Sequence, residues 1–156
     1  MAQDRAALTA AIGAALADLQ AAYDDRDRAM AEALGINRTD LRCLDLIVRG
    51  GPRTAAELGA RMHLTRGSMT TLVDRLEVAG YVERQDDPQH GRRKLITPTQ
   101  ALLDAIAPLL ERAIENGQAR LAKYTAPELR LILDFLHSTH DGQSAVTEAV
   151  RARRRR

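Results

Sequence analysis

Tryptophan is absent, Phe occurs once and Tyr three times, so aromatic residues make up only 3% of the 156-residue chain. Its core must therefore be assembled from Leu, Ile, Val, Met and Ala, a composition that favours helices. Cys43 is the single cysteine. This excludes an intramolecular disulfide and a thiolate metal cluster within one chain, and it fits a reducing cytoplasm. Charge of one sign is scarce too: 23 Lys and Arg against 21 Asp and Glu leave a formal net charge of +2. A uniformly basic coat is excluded, and any electrostatic argument must rest on where the charges sit. No uninterrupted apolar stretch of about 18 residues is present to span a bilayer. The apolar N-terminus reads as an amphipathic helix and not as an export signal, because Asp4 offsets Arg5 and Leu8, Ile12, Leu16 and Leu19 recur at helical spacing.

Catalytic signatures are missing as well. No Gly-rich phosphate loop, Ser-His-Asp set or Cys-His pair can be assembled, so no catalytic residues and no enzyme are expected. Of the four histidines, His63, His90, His137 and His140, the last two lie three apart at a helix end but lack a nearby third ligand. No metal and no cofactor are expected.

What is present is a succession of capped amphipathic segments in one domain spanning 1–156. The first helix is predicted from Gln3 to Leu34, closed by Gly35. Asn37 to Asp40 reads as a capping box before Leu41, Leu44, Ile47 and Val48, and Gly50-Gly51-Pro52 stops that helix. Thr54 with Glu57 is a stronger capping box, opening a short helix with Leu58 and Met62 inward. Thr65 caps a fourth helix to about Ala79, with Met69, Leu72, Val73 and Leu76 buried. Tyr81 to Gln85 and Leu95 to Thr97 alternate as two strands of a hairpin. A long helix from Thr99 to Tyr124 is expected to kink at Pro108. Thr125 with Glu128 caps a further helix, and a separate one is expected after Asp141-Gly142. The C-terminal arginines at 151, 153, 154, 155 and 156 read as a solvated basic tail, with a sequence-blind phosphate contact as the alternative.

Two short helices joined at His63-Leu64-Thr65 fit a helix-turn-helix, whose second helix enters the major groove. With its apolar stripe inward, that helix turns out Arg66, Gly67, Ser68, Thr70, Thr71, Asp74 and Arg75. Short hydroxyls let backbone approach bases and phosphates, and arginines pair with guanine or phosphate oxygens. Thr65, Arg66, Ser68, Thr70, Thr71 and Arg75 are therefore candidate DNA contacts. Arg92, Arg93 and Lys94 gather at the hairpin tip, where Arg gains from the potential of a narrow minor groove.

The stretch Leu-Thr-Arg-Gly-Ser-Met-Thr-Thr-Leu-Val-Asp-Arg-Leu-Glu-Val-Ala-Gly-Tyr-Val-Glu-Arg (Leu64 to Arg84) precedes Asp87-Pro88, Gly91-Arg92-Arg93 and Pro98-Thr99. Together they resemble the MarR family of transcriptional regulators. The resemblance implies a mainly α winged helix-turn-helix with a small β-hairpin wing. It assigns 36–98 to the DNA-binding lobe, 1–35 and 99–150 to intertwined dimerisation helices, and 151–156 to the tail. It implies a homodimer, probing the major groove with Thr65 to Arg75 and the minor groove with Arg92. Two places depart from the family's pattern: His90 stands where an Asp often buttresses the wing Arg, and no glycine follows the second wing strand, where Thr99-Gln100 leads into Ala101-Leu102.

The expected function is a sequence-specific, cytoplasmic, double-stranded-DNA-binding repressor, responsive to a small molecule and acting as a homodimer on a palindromic operator. A rival class is a winged-helix interaction module that has lost DNA binding. Excess apolar surface on the end helices supports dimerisation independently, through Leu8, Ile12, Leu16, Leu110, Ile114, Leu121 and Leu133. The resemblance further implies a phenolic or lipophilic acid as effector. Tyr23, Arg26, Arg28, Met30 and Arg42 are candidates to line its cleft, though they serve equally well as helix surface. Some family relatives sense peroxide through cysteine, but Cys43 lies in an apolar helical setting with no activating partner in view.

Overall fold

The computed structural model describes residues 2–153, apart from the side chains of residues 2, 3, 112 and 113. The tail arginines at 154, 155 and 156 lie outside the described residues. The chain divides into two compact units, Met1–Ala105 and Ile106–Arg156.

The first unit opens with α1 (Ala2–Ala33). It closes as Gly35 turns to φ +65 and the Ile36 N–H donates to the Ala31 carbonyl at 2.9 Å, satisfying a carbonyl that the helix end would otherwise orphan. Of its described residues only Ala31 is buried. An 18-residue window within Asp4–Ala33 reaches a mean hydropathy of 1.3. By length and composition the helix thus meets the measure of a bilayer-crossing segment, although the expectation that no apolar run is uninterrupted stands. Alanines raise the average although Asp18 and Gln20 interrupt the run.

Next come α2 (Arg38–Gly50), β1 (Arg53–Thr54), α3 (Ala55–Met62), α4 (Arg66–Val78), β2 (Val82–Asp86), β3 (Lys94–Pro98) and α5 (Gln100–Leu121), the last crossing into the second unit. Cys43, Leu44 and Ile47 of α2, Leu58 and Met62 of α3, and Met69, Leu72, Val73 and Leu76 of α4 are buried together with Val82, Ile96 and Leu102. Each fully buried aliphatic side chain contributes roughly 1.5–3 kcal/mol relative to exposure. The inward face of α2 differs from the expected one. Asp40 and Cys43 are buried, whereas Leu41 and Val48 are only half-buried.

The sheet is antiparallel in the order β1-β3-β2, with Arg84 opposite Ile96 and Arg53 on the other side of Ile96. The sequence indicates only the hairpin. Two residues are too few to show alternation, and Thr54 carries a second signal as the cap of α3.

In the second unit, α6 (Ala126–Arg153) is one helix and not the two expected. Its start is fixed by Glu128, whose carboxylate accepts from both the Thr125 backbone N–H and the Thr125 hydroxyl at 2.7 Å. A lone helical glycine costs about 1 kcal/mol relative to Ala, too little at Gly142 to interrupt so long a helix. α5 likewise continues through Pro108.

Candidate nucleic-acid interface

The helix-turn-helix is defined at both ends by side chains. Thr54 caps α3: its hydroxyl oxygen accepts from the Glu57 N–H at 3.2 Å, while Glu57 accepts from the Thr54 N–H at 2.8 Å, completing the capping box. These bonds hold the Glu57 carboxyl below its usual value, the backbone bond from Thr54 first and its hydroxyl second. α3 stops at His63, in the left-handed region at φ 56, where His is among the better-tolerated residues. A Cβ on Gly59 would lie 3.4 Å from the Leu64 carbonyl oxygen and 3.7 Å from Met69 Cβ, which marks how closely the turn folds back on α3. Thr65 then caps α4, accepting from the Ser68 N–H at 3.2 Å.

Burial along α4 follows the expected stripe. Met69, Leu72, Val73 and Leu76 are inward, while Thr65, Arg66, Ser68, Thr70, Thr71 and Arg75 are all exposed. The Thr70 and Thr71 hydroxyls donate to the carbonyls of Arg66 and Gly67 at 3.0 and 3.2 Å. With their protons turned inward, these oxygens present lone pairs outward, suited to accept from base amino groups. Asp74, the acid of this face, is ion-paired with Arg84 of β2, which also binds Glu77. Arg84 thereby offsets one of these two negative charges and ties the hairpin to the flank of α4.

At the hairpin end, the Asp87 N–H donates to the Arg93 carbonyl at 3.0 Å, and Asp87 Oδ1 accepts from the Gln89 N–H at 2.8 Å, a side-chain turn that shapes the loop. His90, which replaces the expected buttressing Asp, lies 3.4 Å from the Asp87 carboxylate. Arg92 and Arg93 are exposed and, like Arg66, form no ion pair among the described residues. Lys94 is paired with Asp86 at 2.8 Å.

Arg75 is set apart from the other cations. It lies on an open groove of about 680 Å³ that Asn37, at the cap of α2, and Arg38 and Thr39 of α2 share with Ser68, Thr71 and Arg75 of α4. Its Nη2 and Nε donate to the two oxygens of buried Asp40, at 2.7 and 3.2 Å. Those bonds first, and the charge of Asp40 second, raise the guanidinium pKa. The Asn37–Asp40 segment is thus more than a cap. The Asn37 side-chain Oδ1 does accept from the Asp40 N–H at 2.9 Å, but its side-chain Nδ2 also donates to the carboxylate that grips Arg75. Sequence reasoning missed Asp40, Arg38 and Arg84. The first two were absorbed by the capping pattern, and Arg84 by the strand.

The proposed effector residues are not gathered into this groove. Arg26 sits 4.9 Å over the Tyr23 ring and pairs with Asp27, Arg28 pairs with Asp25, Met30 is half-buried, and Arg42 is exposed. Cys43 is fully buried, and desolvation, with a smaller contribution from Asp40, pushes its thiol up to about 12. That is the reverse of the activation a redox sensor requires.

A family model described as MarR family matches residues 34–93. The chain is 43% identical over 114 residues to the uncharacterized HTH-type transcriptional regulator YcgE of Bacillus subtilis (strain 168), covering 73% of this chain and 74% of the relative. Among solved structures, a MarR family protein from Bacillus stearothermophilus matches with a TM-score of 0.63 at 22% identity, covering 87% of this chain and 95% of that one. A MarR-like transcriptional regulator from Thermotoga maritima matches at 0.62 and 18% identity, covering 83% and 94%.

Proposed function

The chain belongs to the MarR family of transcriptional regulators, not enzymes, and on that premise we propose that it is a homodimeric, ligand-responsive repressor of a palindromic operator. The observation that carries the reading is the outward face of α4. It offers hydroxyl acceptors and Arg66, unpaired among the described residues, and its acid Asp74 is ion-paired with Arg84. Thr65, Ser68, Thr70, Thr71 and Arg75 read the major groove in this account, with Arg66 on the phosphates at its edge. Arg92, Arg93 and Lys94 follow the backbone and minor groove.

Dimerisation is supported by large apolar side chains left in solvent. Leu8 and Ile12 are 59% and 47% exposed on α1, and Ile114 and Leu133 are 58% and 51% exposed on α5 and α6. The helices flanking the 36–98 lobe supply the interface, and the protein works in the cytoplasm. Two symmetric lobes then require half-sites roughly 34 Å apart, one DNA turn.

Selection of bound duplexes from a random pool tests this directly. The expected product is an inverted repeat with that spacing, whereas recovery of unrelated sequences would favour a lobe that has lost DNA binding. Arg66→Ala and Arg92→Ala are each expected to weaken binding to all duplexes alike. A phenolic or lipophilic acid is the proposed effector, changing the separation of the two recognition helices. The cation–ring pair of Arg26 and Tyr23 offers a cation and an aromatic face to such an acid, and Met30 and Arg42 are the further candidates. A thermal-shift panel of these acids should return a stabilising compound that also releases operator. Uniform silence would remove ligand response from the account.

A further inference from the structure

We propose that Asp40 is a positioning residue for DNA recognition: it grips one edge of Arg75 so that the opposite edge reads a guanine. This rests on the DNA-binding reading and assigns different work to the cations of the interface. Asp40 is 3% exposed and fixed in the first turn of α2, where the helix N-terminus favours a negative charge. Its carboxylate is oriented a second time by the Asn37 amide, 2.9 Å from Oδ2. Arg75 uses Nε and Nη2 on this carboxylate. A guanidinium carries five N–H donors in a planar fork, so the edge formed by Nη1 and the second Nη2 hydrogen remains. Among the described residues nothing accepts from Nη1. That edge belongs to a half-exposed side chain on the groove beside Ser68 and Thr71, with the spacing of donors that matches guanine O6 and N7.

Charge separates a base from a phosphate as the acceptor. The Asp40–Arg75 pair is close to neutral, which weakens its attraction for a phosphate but leaves its directional bonds intact. A base edge is neutral and rewards direction. Arg66, Arg92 and Arg93, with no carboxylate on them, are the phosphate-seeking cations. Arg75 is the base reader, and Asp40 removes the rotamer freedom it would otherwise lose on binding.

The test uses full-length protein and the operator recovered by selection, comparing wild type, Asp40→Asn and Arg75→Lys. In Asp40→Asn the shape and the Asn37 contact can persist while the charge is lost. In Arg75→Lys the pairing charge remains but the fork is gone, so it serves if Asp40→Asn does not fold. Both substitutions are expected to reduce discrimination at one G·C pair per half-site by about tenfold, leaving the other positions unchanged. The salt dependence then separates positioning from general damage. Asp40→Asn frees the Arg75 charge and should steepen the slope of log K against log salt by about 2 per dimer, while Arg75→Lys should leave it unchanged. Full base preference in both variants, or an even loss at every position, would overturn the proposal while DNA binding itself stands. Failure of the wild type to bind any duplex would overturn both.

Discussion

Cys43 illustrates how a single residue's surroundings decide its chemistry. Because its thiol keeps its proton up to about 12 in the folded protein, against 9.0 ordinarily, native protein should resist alkylation and peroxide at pH 8 and react only once denatured. The linkage has a definite sign. Between those two values the unfolded chain has released a proton that the folded chain retains, so stability falls as pH rises through the window. The slope attributable to Cys43 approaches ~1.4 kcal/mol per pH unit, and the difference between wild type and Cys43→Ala in urea titrations should reveal it. Rapid labelling of the native thiol would contradict the assignment. Asp40, one helical turn earlier, shows what sequence patterns conceal. An acid three residues after an Asn looks like half of a cap, and only the fold brings Arg75, 35 residues later, to its carboxylate.

Elements were legible where one local signal dominated. The α4 stripe of Met69, Leu72, Val73 and Leu76 and the Thr54–Glu57 box appear in the structure as the sequence pattern implied, since helical period and caps are local properties. β1 was not legible, because its pairing with β3 is set by residues some forty positions away. The division expected at Gly142 was a propensity argument that a long helix overrides. The candidate contacts on α4 were readable for the same reason as its core. Their partners Arg84 and Asp40 were not, because they arrive from other elements.

The Thr54 cap yields a prediction at this scale. Thr54→Ala should cost about 1 kcal/mol, seen as a lower Tm, because it leaves an α3 backbone N–H unsatisfied. Glu57 is held below its ordinary 4.5 by the same bonds, so its contribution is complete above that pH and fades as acid takes it through the lower folded value. A Thr54→Ala protein should therefore lose less stability than wild type over that acidic interval. An equal loss would show that the Thr54 hydroxyl adds nothing to what the backbone N–H already gives Glu57.

For the whole molecule, the exposed apolar residues of the end helices make self-association the expected state. Wild type should sediment as a dimer at micromolar concentration, and a charge at Ile114, 58% exposed, should shift it toward monomer (Ile114→Arg) and weaken operator binding in parallel. An Ile114→Arg protein that stays dimeric would move the interface elsewhere. The central claim concerns the free cations facing nucleic acid. Arg66, Arg92 and Arg93 are unpaired among the described residues, whereas Arg75 and Lys94 are held by Asp40 and Asp86. Titrating a random-sequence duplex across a salt series is the most direct test. Six phosphate contacts per dimer predict a log–log slope of about −5, and a slope near zero, or no binding at low salt, would contradict the account.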